Sequence, residues 1–110
     1  MFTVRNNSVR SDMFEQMKSL PTDCILVCRY GNVAAHRLVL SSTSSFFMAN
    51  ITQLPTSSNR IFLPQFDVQD IQVLVDFIYG RAVTVDYDRL LKLVGIAQDL
   101  GITAFDTVMY

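Results

Sequence analysis

Five consecutive apolar residues, Cys24-Ile25-Leu26-Val27-Cys28, carry no charge and run into Tyr30-Gly31-Asn32. A short unbroken apolar run closed by a turn signal reads as a β-strand buried on both faces, whereas a half-exposed strand would alternate. Such a strand needs structure packed on either side of it. Val33 to Ala35 supply the returning arm of a hairpin, and Ile61-Phe62-Leu63, stopped by Pro64, offers a further short strand.

The second half of the chain is helical. Asp67 stands before Val68, Ile71, Leu74, Val75 and Ile78, a spacing that gathers apolar side chains on one helical face. Asp67 caps that helix, Asp70 adds a second negative charge at its positive end, and Gly80 ends it. Asp86 repeats the device before Leu90, Leu93, Val94, Ala97 and Leu100, with Val85 and Leu90 at the two positions of a hydrophobic staple and Gly101 as the stop. Val83-Thr84-Val85 lies between the two helices as a short strand, and residues 103–110 read as a last helical turn or two.

The remaining segments are shorter. Phe2 to Arg5 alternates as a strand does. Met13, Met17 and Leu20 recur at helical spacing with Phe14 widening the stripe, Ser11 or Asp12 as cap and Pro21 as stop. Arg37 to Leu40 and Ser44 to Met48 suggest two short helical stretches, and Gln53 to Arg60 a loop. The sum is an α+β chain of 110 residues, one domain's worth, with a small sheet in its first half and helices in its second.

Composition narrows what such a domain does. Half of the residues are hydrophobic and only 17% are charged. A domain of this size has too little interior to hide that apolar surface, so a partner is expected to cover some of it. The nine basic residues are scattered from Arg5 to Lys92 and the net charge is −1, which leaves no stripe to neutralise a row of phosphates and argues against nucleic-acid binding. No apolar run reaches membrane-spanning length, and the first residues lack the apolar stretch of a secretory signal. Cys24 and Cys28 are therefore expected to be reduced, in a cytosolic or nuclear protein.

No constellation of residues carries catalysis. The one histidine, His36, would have to support any imidazole chemistry alone. The serines at 41, 42, 44 and 45 lack a nucleophile elbow, and the four glycines form no phosphate loop. Cys24, Cys28 and His36 are three ligands at most where zinc takes four, so no metal and no cofactor is expected. What remains is a pair of charges in apolar surroundings, Asp23 before the strand and Arg37 beside His36. Partly buried, they must pair with each other or face a groove that a partner fills; exposed, they are ordinary surface charges.

The sequence around that pair is distinctive. Asp23-x-x-Leu26, followed by Ala35-His36-Arg37-Leu38-Val39-Leu40-Ser41-Ser42-Thr43-Ser44-Ser45-Phe46-Phe47, strongly resembles the BTB/POZ domain. Leu63-Pro64, Leu74-Val75-Asp76-Phe77-Ile78-Tyr79 and Leu90-x-x-Leu93-Val94-x-x-Ala97-x-x-Leu100-Gly101-Ile102 match that family's further signatures in order, so that the resemblance covers residues 11 to 104. The leader Phe2-Thr3-Val4-Arg5-Asn6-Asn7 is similar to that of the arthropod Tramtrack-type subgroup, whose usual tryptophan is missing here.

The resemblance implies a BTB/POZ fold, a small mixed sheet flanked by a cluster of short helices, in a strand-exchanged oligomer. Residues 1–10 would be the exchanged strand and its connector, and residues 11–110 the core. Phe2 and Val4 would then pair with Val83 and Val85 of a second copy, while Met13, Phe14, Met17 and Leu20 lie in or near the interface. Asp23, His36 and Arg37 would form a charged pocket. The implied role is homo-oligomerisation of a nuclear transcription or chromatin regulator, with other BTB proteins or transcriptional co-regulators as further partners. A cytoplasmic adaptor for a cullin-type ubiquitin ligase is the alternative, and the channel-type tetramerisation domain ranks last. Cullin-binding relatives carry a hydrophobic-x-Glu element where this chain reads Met48 to Pro55 without any acid, which favours the first role.

Overall fold

The computed structural model describes residues 2–6, 16–17, 19–53, 59–102 and 105–109. Six strands and four helices are assigned among them. In chain order they are β1 (Phe2–Asn6), β2 (Cys24–Arg29), β3 (Gly31–Ala35), α1 (Arg37–Thr43), α2 (Ser45–Gln53), β4 (Arg60–Asp67), α3 (Val68–Ile78), β5 (Val83–Val85), α4 (Tyr87–Asp99) and β6 (Phe105–Met109). The architecture is α+β as expected, but the strands form two separate three-stranded sheets, ordered β3-β2-β4 and β5-β1-β6.

The first sheet is mixed, with β2 antiparallel to β3 and parallel to β4. Cys24, Leu26 and Cys28 point to one face and are buried, together with Val33, Ala35, Ile61 and Leu63 from the flanking strands. The other face departs from expectation. Ile25 and Val27 are only half-buried, and Phe62, Cα partner of Val27, is 68% exposed. The apolar run in β2 is therefore sealed on one side only. Strand β4 also runs past Pro64, which terminates its regular pairing rather than the strand: the register to β2 is continuous through Leu63 and then shifts. An edge strand tolerates a residue that cannot donate to the ladder.

Helices α3 and α4 follow the sequence closely. The Asp67 carboxylate accepts from the Gln69 N–H and the Asp86 carboxylate from the Arg89 N–H, each at 2.8 Å. Ile71, Leu74, Val75, Phe77 and Ile78 of α3 and Leu90, Leu93, Ile96 and Ala97 of α4 are buried. Asp70 lies in the first turn of α3 as expected. It is also 3% exposed, its two oxygens taken by Arg89 (3.1 Å) and Lys92 (2.9 Å) of α4. It clamps one helix to the next.

Two more groups lock the helices together. Ser44 hydroxyl, 2% exposed, accepts from the Phe47 N–H at the start of α2 and donates to the Leu100 carbonyl at the end of α4. Gly101 has φ +64°, and a Cβ there would fall 2.0 Å from Ser45 Oγ, so the chain can pass α2 only with glycine at that point. Beyond it, residues 105–109 are a strand and not the helical turn expected, pairing antiparallel with all five residues of β1.

Candidate association surface

The second sheet joins segments from opposite ends of the sequence. β1 lies in its middle, paired with β5 through Phe2↔Val85, Thr3↔Thr84 and Val4↔Val83, and with β6 from Phe2↔Met109 to Asn6↔Phe105. The Thr3 and Thr84 hydroxyls stand 3.1 Å apart, a cross-strand pair that fixes the register. The resemblance placed β1 against residues 83–85 of a second copy; in this single chain it pairs with residues 83–85 of the same chain. Val83 and Val85 are half-buried against the core, and with Val73 and Arg89 they line a cleft of about 390 Å³.

Of the helical stripe expected over residues 11–20, Met13 and Phe14 lie outside the described residues. Gln16 and Met17 are helical. Met17 is half-buried and packs against the core, whereas Leu20 is 54% exposed. The two therefore differ in this single chain: Met17 packs inward and Leu20 faces solvent.

The Leu20 backbone is tied inward through His36. That imidazole is 5% exposed. Its Nε2 lies 3.0 Å from the Leu20 carbonyl, and its Nδ1 lies 2.6 Å from the Tyr79 hydroxyl. A carbonyl can only accept, so Nε2 carries the hydrogen and, in the neutral ring, Nδ1 accepts from Tyr79. The same hydroxyl accepts from the His36 backbone N–H at 2.9 Å. Burial raises the Tyr79 phenol above its ordinary value, with the His36 N–H pulling the other way. Tyr79 is thus the receiver of the Ala-His-Arg motif, a role its place in a run of helical signature residues does not disclose.

Asp23 and Arg37 are brought together, but at the surface. The Asp23 carboxylate accepts from the Arg37 N–H at 2.8 Å and so caps α1, while Arg37 Nε donates to the Asp23 carbonyl at 3.3 Å. Asp23 is exposed and Arg37 half-buried. Beside them a cleft of about 230 Å³ opens between Thr22, Ala34 and Asp76, lined by His36 and Tyr79.

The cysteines do not form a metal site with His36. Cys28 lies four residue steps along the strand from Cys24, roughly 13 Å, too far for one ion, and both nitrogens of His36 are engaged. Burial raises both thiols above their ordinary value, which keeps them protonated. No described helix is long and apolar enough to cross a membrane.

Polar groups in this region hold elements of the fold together, and Leu20 and Leu38, close to them in sequence, are exposed. Comparison with known proteins identifies the class. The BTB/POZ domain family matches residues 11–109, and the chain belongs to it; the family consists of non-enzymatic interaction modules. The chain is 29% identical to protein tramtrack, alpha isoform, of Drosophila melanogaster over 112 residues, covering 97% of this chain and 14% of that protein. It is 30% identical to the transcription activator GAGA of the same organism over 80 residues, covering 73% of this chain and 14% of that protein. Among solved structures the BTB domain of zebrafish PATZ1 superposes with a TM-score of 0.68 at 18% identity, over 82% of this chain and 78% of that one. This chain thus spans about a seventh of the two curated relatives, and the likeness to PATZ1 bears on the fold alone.

Proposed function

We propose that this domain is the homo-oligomerisation module of a nuclear transcription or chromatin regulator, and that it associates by exchanging β1 between copies. The observation that carries the reading is the position of β1. It sits in the middle of a sheet far from its neighbours in sequence and is joined to Gln16 by nine intervening residues. A strand on so long a connector pairs equally well with the β5 of its own chain or of a second copy. Residues 1–10 are then the exchanged arm and residues 11–110 the core.

Leu20 and the exposed side of the β3-β2-β4 sheet supply apolar surface for association. Asp23 and Arg37 lie next to the cleft lined by Thr22 and His36, where a co-regulator or another BTB protein would dock. The relatives named above support the transcriptional setting and a nuclear location. Oligomerisation would raise the effective concentration of attached DNA-binding parts at clustered sites.

Absolute mass by light scattering coupled to size exclusion, over a concentration series, tests the reading. A dimer or a discrete larger assembly is expected, and Leu20→Asp should weaken it about tenfold or more. One-chain mass at every concentration overturns the proposal.

A further inference from the structure

The reading above leaves open what happens to β6 when β1 leaves. In the single chain β1 fills the space between β5 and β6, pairing over three residues on one side and five on the other. Two departures are conceivable. Either β6 travels with β1 as a hairpin-like pair, or β6 stays and is left facing β5 across the width of a missing strand.

The connectors decide between them. Nine residues lie between Asn6 and Gln16, enough to span up to about 33–36 Å. Only residues 103 and 104 separate β6 from Ile102, a reach of about 10 Å. Ile102 is itself fastened: it is 7% exposed, its N–H donates to the Ala97 carbonyl at 2.9 Å, and it bridges to Ser44. β6 is therefore held to its own core, and β5 is held between α3 and α4.

We propose that β5 and β6 together form a slot for the β1 of a second copy, so that the C-terminal strand is part of the association surface. This inference rests on the strand-exchange reading of the preceding subsection. An emptied slot has bare backbone donors and acceptors along both inner edges, about one strand spacing to either side of its midline. The only strand guaranteed to fit both registers at once is another copy of Phe2–Asn6, because the chains are identical. The longer, five-residue ladder to β6 makes the larger contribution to holding the incoming strand. The slot accepts it reciprocally, each copy donating one arm and receiving one.

Two double variants test this: Thr3→Cys with Thr84→Cys, and Thr3→Cys with Val108→Cys, each oxidised mildly and run on a non-reducing gel, with Thr3→Cys alone as control. The register partners are close enough for a disulfide, and the native thiols are buried. Covalent dimers from both pairs are expected. A dimer from the 3/84 pair with a monomeric cross-link from the 3/108 pair means that β6 moves with its own β1; it overturns the slot and leaves strand exchange standing. Monomeric cross-links from both overturn exchange and slot alike. A Thr107→Pro variant, which places a proline in β6 at the residue paired with Val4, gives an independent reading: the dimer should weaken, its dissociation constant rising about tenfold or more. An unchanged constant in that folded variant overturns the proposal.

Discussion

The hydroxyl of Tyr79 serves His36 twice, accepting from its backbone N–H at 2.9 Å and meeting ring Nδ1 at 2.6 Å. One oxygen at the end of α3 thus sets both the start of α1 and the orientation of the only histidine in the chain. Tyr79→Phe keeps the ring and deletes that oxygen, leaving two buried His36 groups without their partner. The variant should lose about 1–3 kcal/mol of folding stability, measured by urea denaturation. A loss within error of zero would mean that the buried imidazole is satisfied by other means.

Ser44 has the same double duty at the other end of α1. Ser44→Ala removes the cap on α2 and the donor to the Leu100 carbonyl. The expected cost is about 1–3 kcal/mol, while Ser45→Ala, one residue on and exposed, should change stability by under about 0.5 kcal/mol. Equal effects at the two positions would contradict the assignment.

Asp70 is a buried carboxylate held by cations that themselves reach solvent, with Lys92 59% exposed. Screening reduces the value of such pairs, so Asp70→Asn should cost about 1–2 kcal/mol, mostly through lost charge-assisted bonds. Combining it with Arg89→Gln should be clearly less than additive; strict additivity in that double-mutant cycle would separate the two residues energetically.

Alkaline pH offers a test without substitution. Burial raises the Cys24, Cys28 and Tyr79 groups above their ordinary values of 9.0, 9.0 and 10.0. Above about pH 9 the unfolded chain releases these protons while the folded chain retains them, so stability falls as pH rises. Below that range their contribution is complete and flat. Denaturation midpoints from pH 7 to 10.5 should hold level and then drop, and Cys24→Ala should make the drop shallower. A midpoint independent of pH throughout would show that these groups titrate alike in both states.

What was legible in the sequence tracks how local its cause is. Helices α3 and α4 announce themselves through Asp67 and Asp86, whose carboxylates bond backbone groups two or three residues away. The strand Phe105–Met109 gave no such signal, because its partner is β1, about a hundred residues upstream. A five-residue segment has no periodicity long enough to separate strand from helical turn. Asp70 was visible as a charge near a helix start, but its partners on α4 could not be read from spacing. The same holds for His36: its motif identified the family, whereas the Tyr79 oxygen that explains its burial comes from 43 residues further along the chain.

The pairing of Phe2 with Met109 has a geometric outcome for any longer protein that contains this domain. Antiparallel neighbours stand about 5 Å apart, so polypeptide continuing past residue 110 departs from beside residue 2. With arms traded between copies, it would leave next to the other copy's first residues. Each downstream tether would then be rooted at the seam between subunits, and two tethers would set out from that shared junction rather than from the far poles of the assembly.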